Sequence, residues 1–224
     1  MGRVRFPTDP LSEILTLIVF GPSGSGKTSV IEELCRRDPM GCRRGITTTT
    51  RPPRENEVDG VDYHFVSVDA FKRLLQRDEF LEYAKVYDHW YGTQKEELGK
   101  VFHLGGYVLI LNIDRQGARQ IQSRIPGAVV VQLLVKSRQE LEKRLRTRGT
   151  DKPEVIARRL AGAREEIAAY PMATHVVMND DLAEAVDEVT AIVRAELARR
   201  PHQAANVEAL LREWDTALTD PLEG

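Results

Sequence analysis

The sequence predicts an α/β fold: a parallel sheet flanked by helices, with a small α+β insertion. Three observations predict it. Short, continuously apolar, β-rich runs recur along the chain, as expected of strands buried on both faces. Stretches with helical spacing alternate with them, and such alternation implies a parallel sheet covered on both sides. Between about residues 48 and 100 the composition shifts towards aromatics, prolines and charge, which marks a separate unit.

Leu15 to Phe20, LTLIVF, is the first core strand. Gly21 to Gly26 breaks it with three glycines and a proline, and Ser25 to Arg37 continues as a helix with Val30, Ile31 and Leu34 on one side. In the insertion, Tyr63 to Val66 and Phe80 to Val86 read as short strands, and Asp69 to Gln76 and Lys95 to Leu104 as helices. Tyr107 to Ile113 returns to a buried-strand run, Arg115 to Arg124 is helical, and Ala128 to Val135 is a further core strand. Ser137 caps a helix running to about Arg148, with Glu140 placed for a capping box. Glu154 to Tyr170 resumes the helical pattern, and Pro171 ends it. Thr174 to Met178 is a last strand, and Asp181 to Arg199 a helix. After Pro201, Val207, Leu210, Leu211, Trp214 and Leu218 fall on one helical face, which suits a helix packed on the core or on a second subunit, or one that binds a partner. The expected division is a core of 11–47, 101–145 and 159–200, an insertion of 48–100, a lid of 146–158 and a tail of 201–224.

Composition bounds the function. The 224 residues are 42% hydrophobic and 29% charged, enough apolar material for a real core. Lys and Arg total 32 against 34 for Asp and Glu, which disfavours a basic nucleic-acid binder. No apolar run reaches the roughly 18 residues of a membrane span. Met1 to Pro10 has no apolar run to make a secretory signal. The two cysteines, Cys35 and Cys42, fit no CxxC or Cys/His metal spacing and are read as thiols in a reducing cytoplasm.

Gly21-Pro22-Ser23-Gly24-Ser25-Gly26-Lys27-Thr28 matches the phosphate-loop pattern GxxxxGK followed by Ser or Thr, between a strand and a helix where the motif belongs. Small residues let backbone N–H groups curl round a polyphosphate, and the helix N-terminus adds partial positive charge. Lys27 can reach the β- and γ-phosphates, and the Thr28 hydroxyl, followed by Ser29, can ligate Mg²⁺. The pattern predicts a P-loop NTPase fold that binds a nucleoside triphosphate. It does not fix the reaction, since GTPases, motor ATPases and small-molecule kinases share it. No NKxD-type base-reading segment is found, and the length disfavours a large ATPase.

The insertion decides. Thr47 to Thr50 precede Arg51-Pro52-Pro53-Arg54, two arginines three apart held by stiff prolines, a plausible clamp for a second phosphate. Taken singly, Tyr63, Phe65 and Tyr91 also suit an insertion core, Glu82 an exposed strand carboxylate, and Arg51 and Arg54 a solvated turn. The chain resembles guanylate kinases through the glycine loop, TTTTRPPRENEVDGVDYHF, FLEYAKVYDHWYGT, NIDRQG, RLRTRGT, the IARRL helix and NDDL, in order over about residues 15 to 197.

The resemblance implies ATP as donor, GMP or dGMP as acceptor, and Mg²⁺. It implies that Arg51, Arg54, Tyr63 and Tyr91 hold the acceptor phosphate, that Glu57 belongs to the same GMP site, and that Lys27 and Arg51 also take part in catalysis. Glu82 would accept hydrogen bonds from guanine N1–H and the 2-amino group, and Thr47, Thr93 and Asp114 would face the base. Adenine lacks both donors, so a buried, unpaired carboxylate would reject it. Arg148 and Arg159 are implied as the pair that neutralises the transferred phosphoryl group, and Asn179 as a neighbour of the donor adenine. Arg138, Arg146, Arg158 and Arg164 read as solvated helix face. One departure stands out: the family usually carries aspartate at both positions of the strand end, whereas this chain has Asn112 before Asp114. An amide brings no charge, which leaves three readings: Mg²⁺ is held by Thr28 and phosphates with Asn112 acting through water, the transfer is slow, or the chain acts on an altered acceptor of specialised metabolism. Two other readings compete: a non-catalytic interaction module, against which Gly26, Lys27 and Thr28 stand intact, and a kinase of another acceptor, against which Glu82, Thr47 and Thr93 stand. The chain is expected as a monomer or homodimer.

Overall fold

The computed structural model describes residues 14–37, 41–86, 88–103, 107–147 and 152–219. The core is a five-stranded sheet of β1 (Leu15–Phe20), β2 (Cys42–Arg44), β7 (Val108–Asn112), β8 (Val129–Leu134) and β9 (His175–Met178), in the order β2-β7-β1-β8-β9. Every pairing is parallel; Leu17 lies between Ile110 and Val129. The alternation of β1 sends its side chains to two cores. Leu15, Leu17 and Val19 pack with Val30, Ile31 and Leu34 of α1 (Lys27–Arg37) and with Val186, Val189 and Val193 of α7 (Leu182–Leu197). Ile18 and Phe20 face the other way, onto Leu98 and Val101 of α3 (Glu96–His103) and onto Ala118 and Ile121 of α4 (Arg115–Arg124). A smaller cluster of Leu141, Leu145, Ile156 and Ala163 joins α5 (Arg138–Thr147) to α6 (Pro153–Ala168).

The second sheet has the order β4-β3-β6-β5, from β3 (Thr47–Thr49), β4 (His64–Phe65), β5 (Phe80–Val86) and β6 (His89–Gln94). β6 runs antiparallel to both β3 and β5, and α2 (Val68–Gln76) follows β4. The sheet begins at Thr47, and α3, within the range expected for the insertion, packs on the core sheet through Leu98 and Val101.

The long apolar strands and all the expected helices fall within a residue or two of their expected positions. β2, β3 and β6 are strands that sequence patterning does not announce. Two are three residues long, and none is a continuous apolar run, so pairing with neighbours defines them. Ser137 Oγ accepts from Glu140 N at 3.1 Å, as a cap should, but the Glu140 carboxylate turns to Arg144 Nε at 2.8 Å and does not complete a capping box.

The tail forms α8 (Arg200–Thr219). Val207, Leu210, Leu211 and Trp214 are 53–65% exposed, so this face does not pack on the chain's own core. Leu218 is not among the residues whose side chains are described. No helix among the described residues is long and apolar enough to cross a membrane.

Candidate active site

The phosphate loop joins β1 to α1. Gly21 and Gly26 hold positive φ of 138° and 91°, and both are in tight places. A Cβ on Gly21 would lie 2.3 Å from Leu133 O, and one on Gly26 would lie 2.2 Å from Asn179 Nδ2. Lys27 folds over the loop, its Nζ donating to Gly21 O at 2.7 Å and Pro22 O at 3.0 Å. Thr28 and Ser29 are exposed at the head of α1. The buried Ser25 hydroxyl has no hydrogen-bond partner. Asn179, after β9, is buried and donates from Nδ2 to Ser25 O at 2.7 Å. Its place is thus under the loop, as a brace on the loop backbone.

Across the same cleft stands the arginine pair. The Arg51 side chain is only 14% exposed, against 57% for Arg54, so the two are not equivalent. Arg51 Nη2 donates to Glu57 Oε1 at 2.8 Å and Nη1 to Pro52 O at 2.7 Å, and its guanidinium lies 5.2 Å from the Tyr63 ring centre and 5.8 Å from that of Phe65. Glu57 also accepts from Arg54 N at 2.8 Å and lies 3.6 Å from Arg54 Nη1. Burial works to raise the Glu57 carboxyl, but the Arg54 amide and the Arg51 guanidinium outweigh it and hold Glu57 below the usual range. Glu57 thus sits between the two arginines as their anchor. Tyr63 and Tyr91 meet edge to face, 6.3 Å between ring centres.

Glu82 is the site's most unusual group. It is 2% exposed on β5, and Thr93 Oγ1, fully buried on β6, donates to its Oε1 at 2.8 Å. Burial pushes the Glu82 carboxyl up to about 7; the Thr93 hydrogen bond opposes this, and the nearby Asp114 charge adds to it. Asp114 caps α4, its Oδ1 accepting from Gln116 N at 3.0 Å and Gly117 N at 2.9 Å. An aspartate directly after an apolar strand is the sequence signal for this cap. Asn112 Nδ2 lies 3.5 Å from Thr28 Oγ1, at the outer limit of a hydrogen bond.

One cleft of about 790 Å³ gathers both ends. Gly21, Ser23 and Lys27 line it from the loop, Thr47, Arg51, Arg54, Tyr63, Glu82 and Tyr91 from the second sheet, and Asn112 and Asp114 from β7 and its end. Arg159, on α6, also lines it and donates from Nη1 to Ser23 Oγ at 2.8 Å. Arg158, expected on a solvated face, is exposed and also lines the cleft. Arg148 lies outside the described residues.

Glu166 was missed by sequence reading. It lines the cleft, half-buried on α6, and its carboxyl is raised chiefly by burial; Lys27 opposes this and Asp114 adds to it. A signal did exist: Val155, Arg159, Gly162, Ala163 and Glu166 follow the spacing of one helix face, with small residues between the charged ones.

A parallel sheet whose first strand runs into a glycine loop, with basic groups facing that loop across a single cleft, is a phosphate-loop nucleotide-binding fold. The family model for guanylate kinase matches residues 14–196. The chain is 44% identical to a guanylate kinase of Symbiobacterium thermophilum, over 92% of this chain and 96% of that one. It is 41% identical to a guanylate kinase of Escherichia coli strain K12, over 87% and 94% of the two chains. The crystal structure of guanylate kinase from Anaplasma phagocytophilum superposes with a TM-score of 0.68 at 28% identity, covering 85% of this chain and 90% of that one. The chain belongs to the guanylate kinase family.

Proposed function

We propose that this chain transfers the γ-phosphoryl group of ATP to GMP or dGMP, releasing ADP and the nucleoside diphosphate. One observation carries the reading: the phosphate-loop lysine, the Arg51–Arg54 clamp and the buried Glu82 carboxylate all line a single cleft. In this reading the core holds ATP, the 48–100 unit holds the acceptor, and the 146–158 segment closes over both.

The ATP polyphosphate lies on the loop amides, and its oxygens take the place of the loop carbonyls at Lys27 Nζ. The acceptor phosphate lies between Arg51, Arg54, Tyr63 and Tyr91, two cations and two phenol donors facing a dianion. Thr47 and Asp114 lie beside the base, and Glu82 accepts from its N1–H and 2-amino group. An oxygen of the GMP phosphate attacks the γ-phosphorus in line. The new O–P bond forms as the bond to the β–γ bridging oxygen breaks, and the electron pair leaves on ADP. Catalysis is then positioning and charge neutralisation, supplied by Lys27 and Arg159, with Arg148 in the role the family resemblance implies. Closing the cleft keeps water from the γ-phosphorus.

The residues at the loop mouth fit Mg²⁺. Among the described residues no group of three or more His, Cys, Asp or Glu could hold a metal ion. The candidate donors, the Thr28 hydroxyl and the Asn112 amide, are neutral, which suits a hard cation that keeps waters and binds mainly through phosphate oxygens. When bound, Mg²⁺ screens the polyphosphate charge.

A coupled ADP-release assay with GMP, dGMP, AMP, CMP and UMP tests the reading. Turnover confined to GMP and dGMP is expected. GMP binding without turnover would point to an interaction module, and preference for another base would displace Glu82 as the guanine reader.

A further inference from the structure

We propose that Gly117 is a specificity-determining position, whose missing side chain lets the Glu82 carboxylate lie in the pose that reads guanine. The inference deepens the proposed function and rests on Glu82 as the guanine acceptor. Gly117 is a buried residue in the first turn of α4, and it is not among the glycines with positive φ. Nothing in the backbone conformation calls for glycine, and alanine in a helix is favoured by roughly 1 kcal/mol. What calls for it is space. A Cβ here would lie 2.5 Å from Glu82 Oε2, 3.2 Å from Glu82 Cδ and 3.3 Å from Ile113 Cδ1. The closest atom is the end of a side chain, so a methyl group would displace the carboxylate before it disturbed the fold.

The same helix face fixes the backbone on both sides of Glu82. Gln120 Nε2 donates to Tyr83 O at 2.7 Å and Gln120 Oε1 accepts from Tyr83 N at 3.2 Å, satisfying the edge of β5 with a side-chain amide. Arg124 Nη1 donates to Phe80 O and to Leu81 O, the latter at 2.9 Å. Gly117, Gln120 and Arg124 follow i, i+3, i+7 spacing, so α4 meets β5 along one stripe. With the strand held there, and Glu82 Oε1 held by Thr93, the other oxygen, Oε2, has its place because position 117 carries no Cβ. Gly117 is thus a positioning residue for the reading of the base.

The test is Gly117→Ala, Glu82→Asp and the double variant, compared with the wild type in kinetics with GMP and with IMP, which lacks the 2-amino group. Gly117→Ala is expected to keep its melting temperature and its KM for ATP, to raise KM for GMP about tenfold, and to reduce the preference for GMP over IMP. A carboxylate one methylene shorter leaves room for the methyl group, so the two losses in the double variant should fall short of their sum. A GMP preference within twofold of wild type in Gly117→Ala, or strictly additive losses, would overturn the proposal. So would an unfolded Gly117→Ala, since the space would then serve the backbone. A wild-type enzyme indifferent to guanine would instead sink the reading of Glu82 itself.

Discussion

Thr93 Oγ1 donates to Glu82 Oε1 at 2.8 Å, inside the pairing of β5 with β6, and both residues are buried. This hydrogen bond favours the ionised carboxylate, the form that accepts from guanine, against a burial that disfavours it. Replacing Thr93 with the isosteric valine removes it. We expect KM for GMP to rise about tenfold, the value of one hydrogen bond to a charged group. The pH at which GMP affinity levels off should also move above that of the wild type. An unshifted pH profile would show that the hydroxyl does not tune Glu82.

The Glu82 carboxyl stands at about 7 in the folded chain, against an ordinary value of 4.5. Because the folded-state value is the higher, the protonated form favours the fold. That contribution is whole below about pH 4.5 and is lost as the pH rises through about 7. At pH 8 the buried charge should therefore cost on the order of 3 kcal/mol relative to a neutral group. Glu82→Gln should melt at a higher temperature than wild type, with a gap that widens from pH 5 to pH 8, while losing guanine selectivity. A gap independent of pH in thermal melts would contradict the assignment.

Arg51 and Arg54 should not contribute equally. Arg51 is enclosed by Glu57, Tyr63 and Phe65, whereas Arg54 is largely exposed. Screening weakens exposed charges far more than enclosed ones. Arg51→Ala should lower kcat/KM for GMP by about a hundredfold and Arg54→Ala by less than tenfold. The Arg54→Ala loss should shrink further at high salt. Equal losses at low and high salt would argue against the asymmetry.

Asn112 lies 3.5 Å from the Thr28 hydroxyl and contributes no charge at the loop mouth. Asn112→Asp should keep or raise kcat and lower the Mg²⁺ concentration needed for half-maximal rate. A severe fall in kcat would reveal a positive role for the amide. Titration of Mg²⁺ against rate, with Mg²⁺ binding followed by calorimetry in the presence of ATP, separates the two outcomes.

The candidate site was legible in the sequence wherever its residues are contiguous. The loop from Gly21 to Thr28 is one run between an apolar strand and a helix, and Arg51 and Arg54 flank two prolines. Asn179 was legible only as a motif position; its contact with Ser25 O, which spans 154 residues, was not. Arg159 reaches Ser23 across 136 residues, so helical spacing alone could not distinguish it from the solvated arginines around it. Glu166 was hidden for the same reason, as a carboxylate in an ordinary amphipathic helix.

The sequence by itself determined the elements whose signal is local: short, mostly apolar runs for β1, β7 and β8, helical spacing for α1 and α4, and the phosphate loop between strand and helix. Only the tertiary structure decided that Glu82 is buried, that Thr93 holds one of its oxygens and that Gly117 leaves room for the other. The physical reason is the origin of the forces. Strand and helix preferences arise from neighbours along the chain, whereas desolvation, charge pairing and steric room arise from groups that only folding brings together.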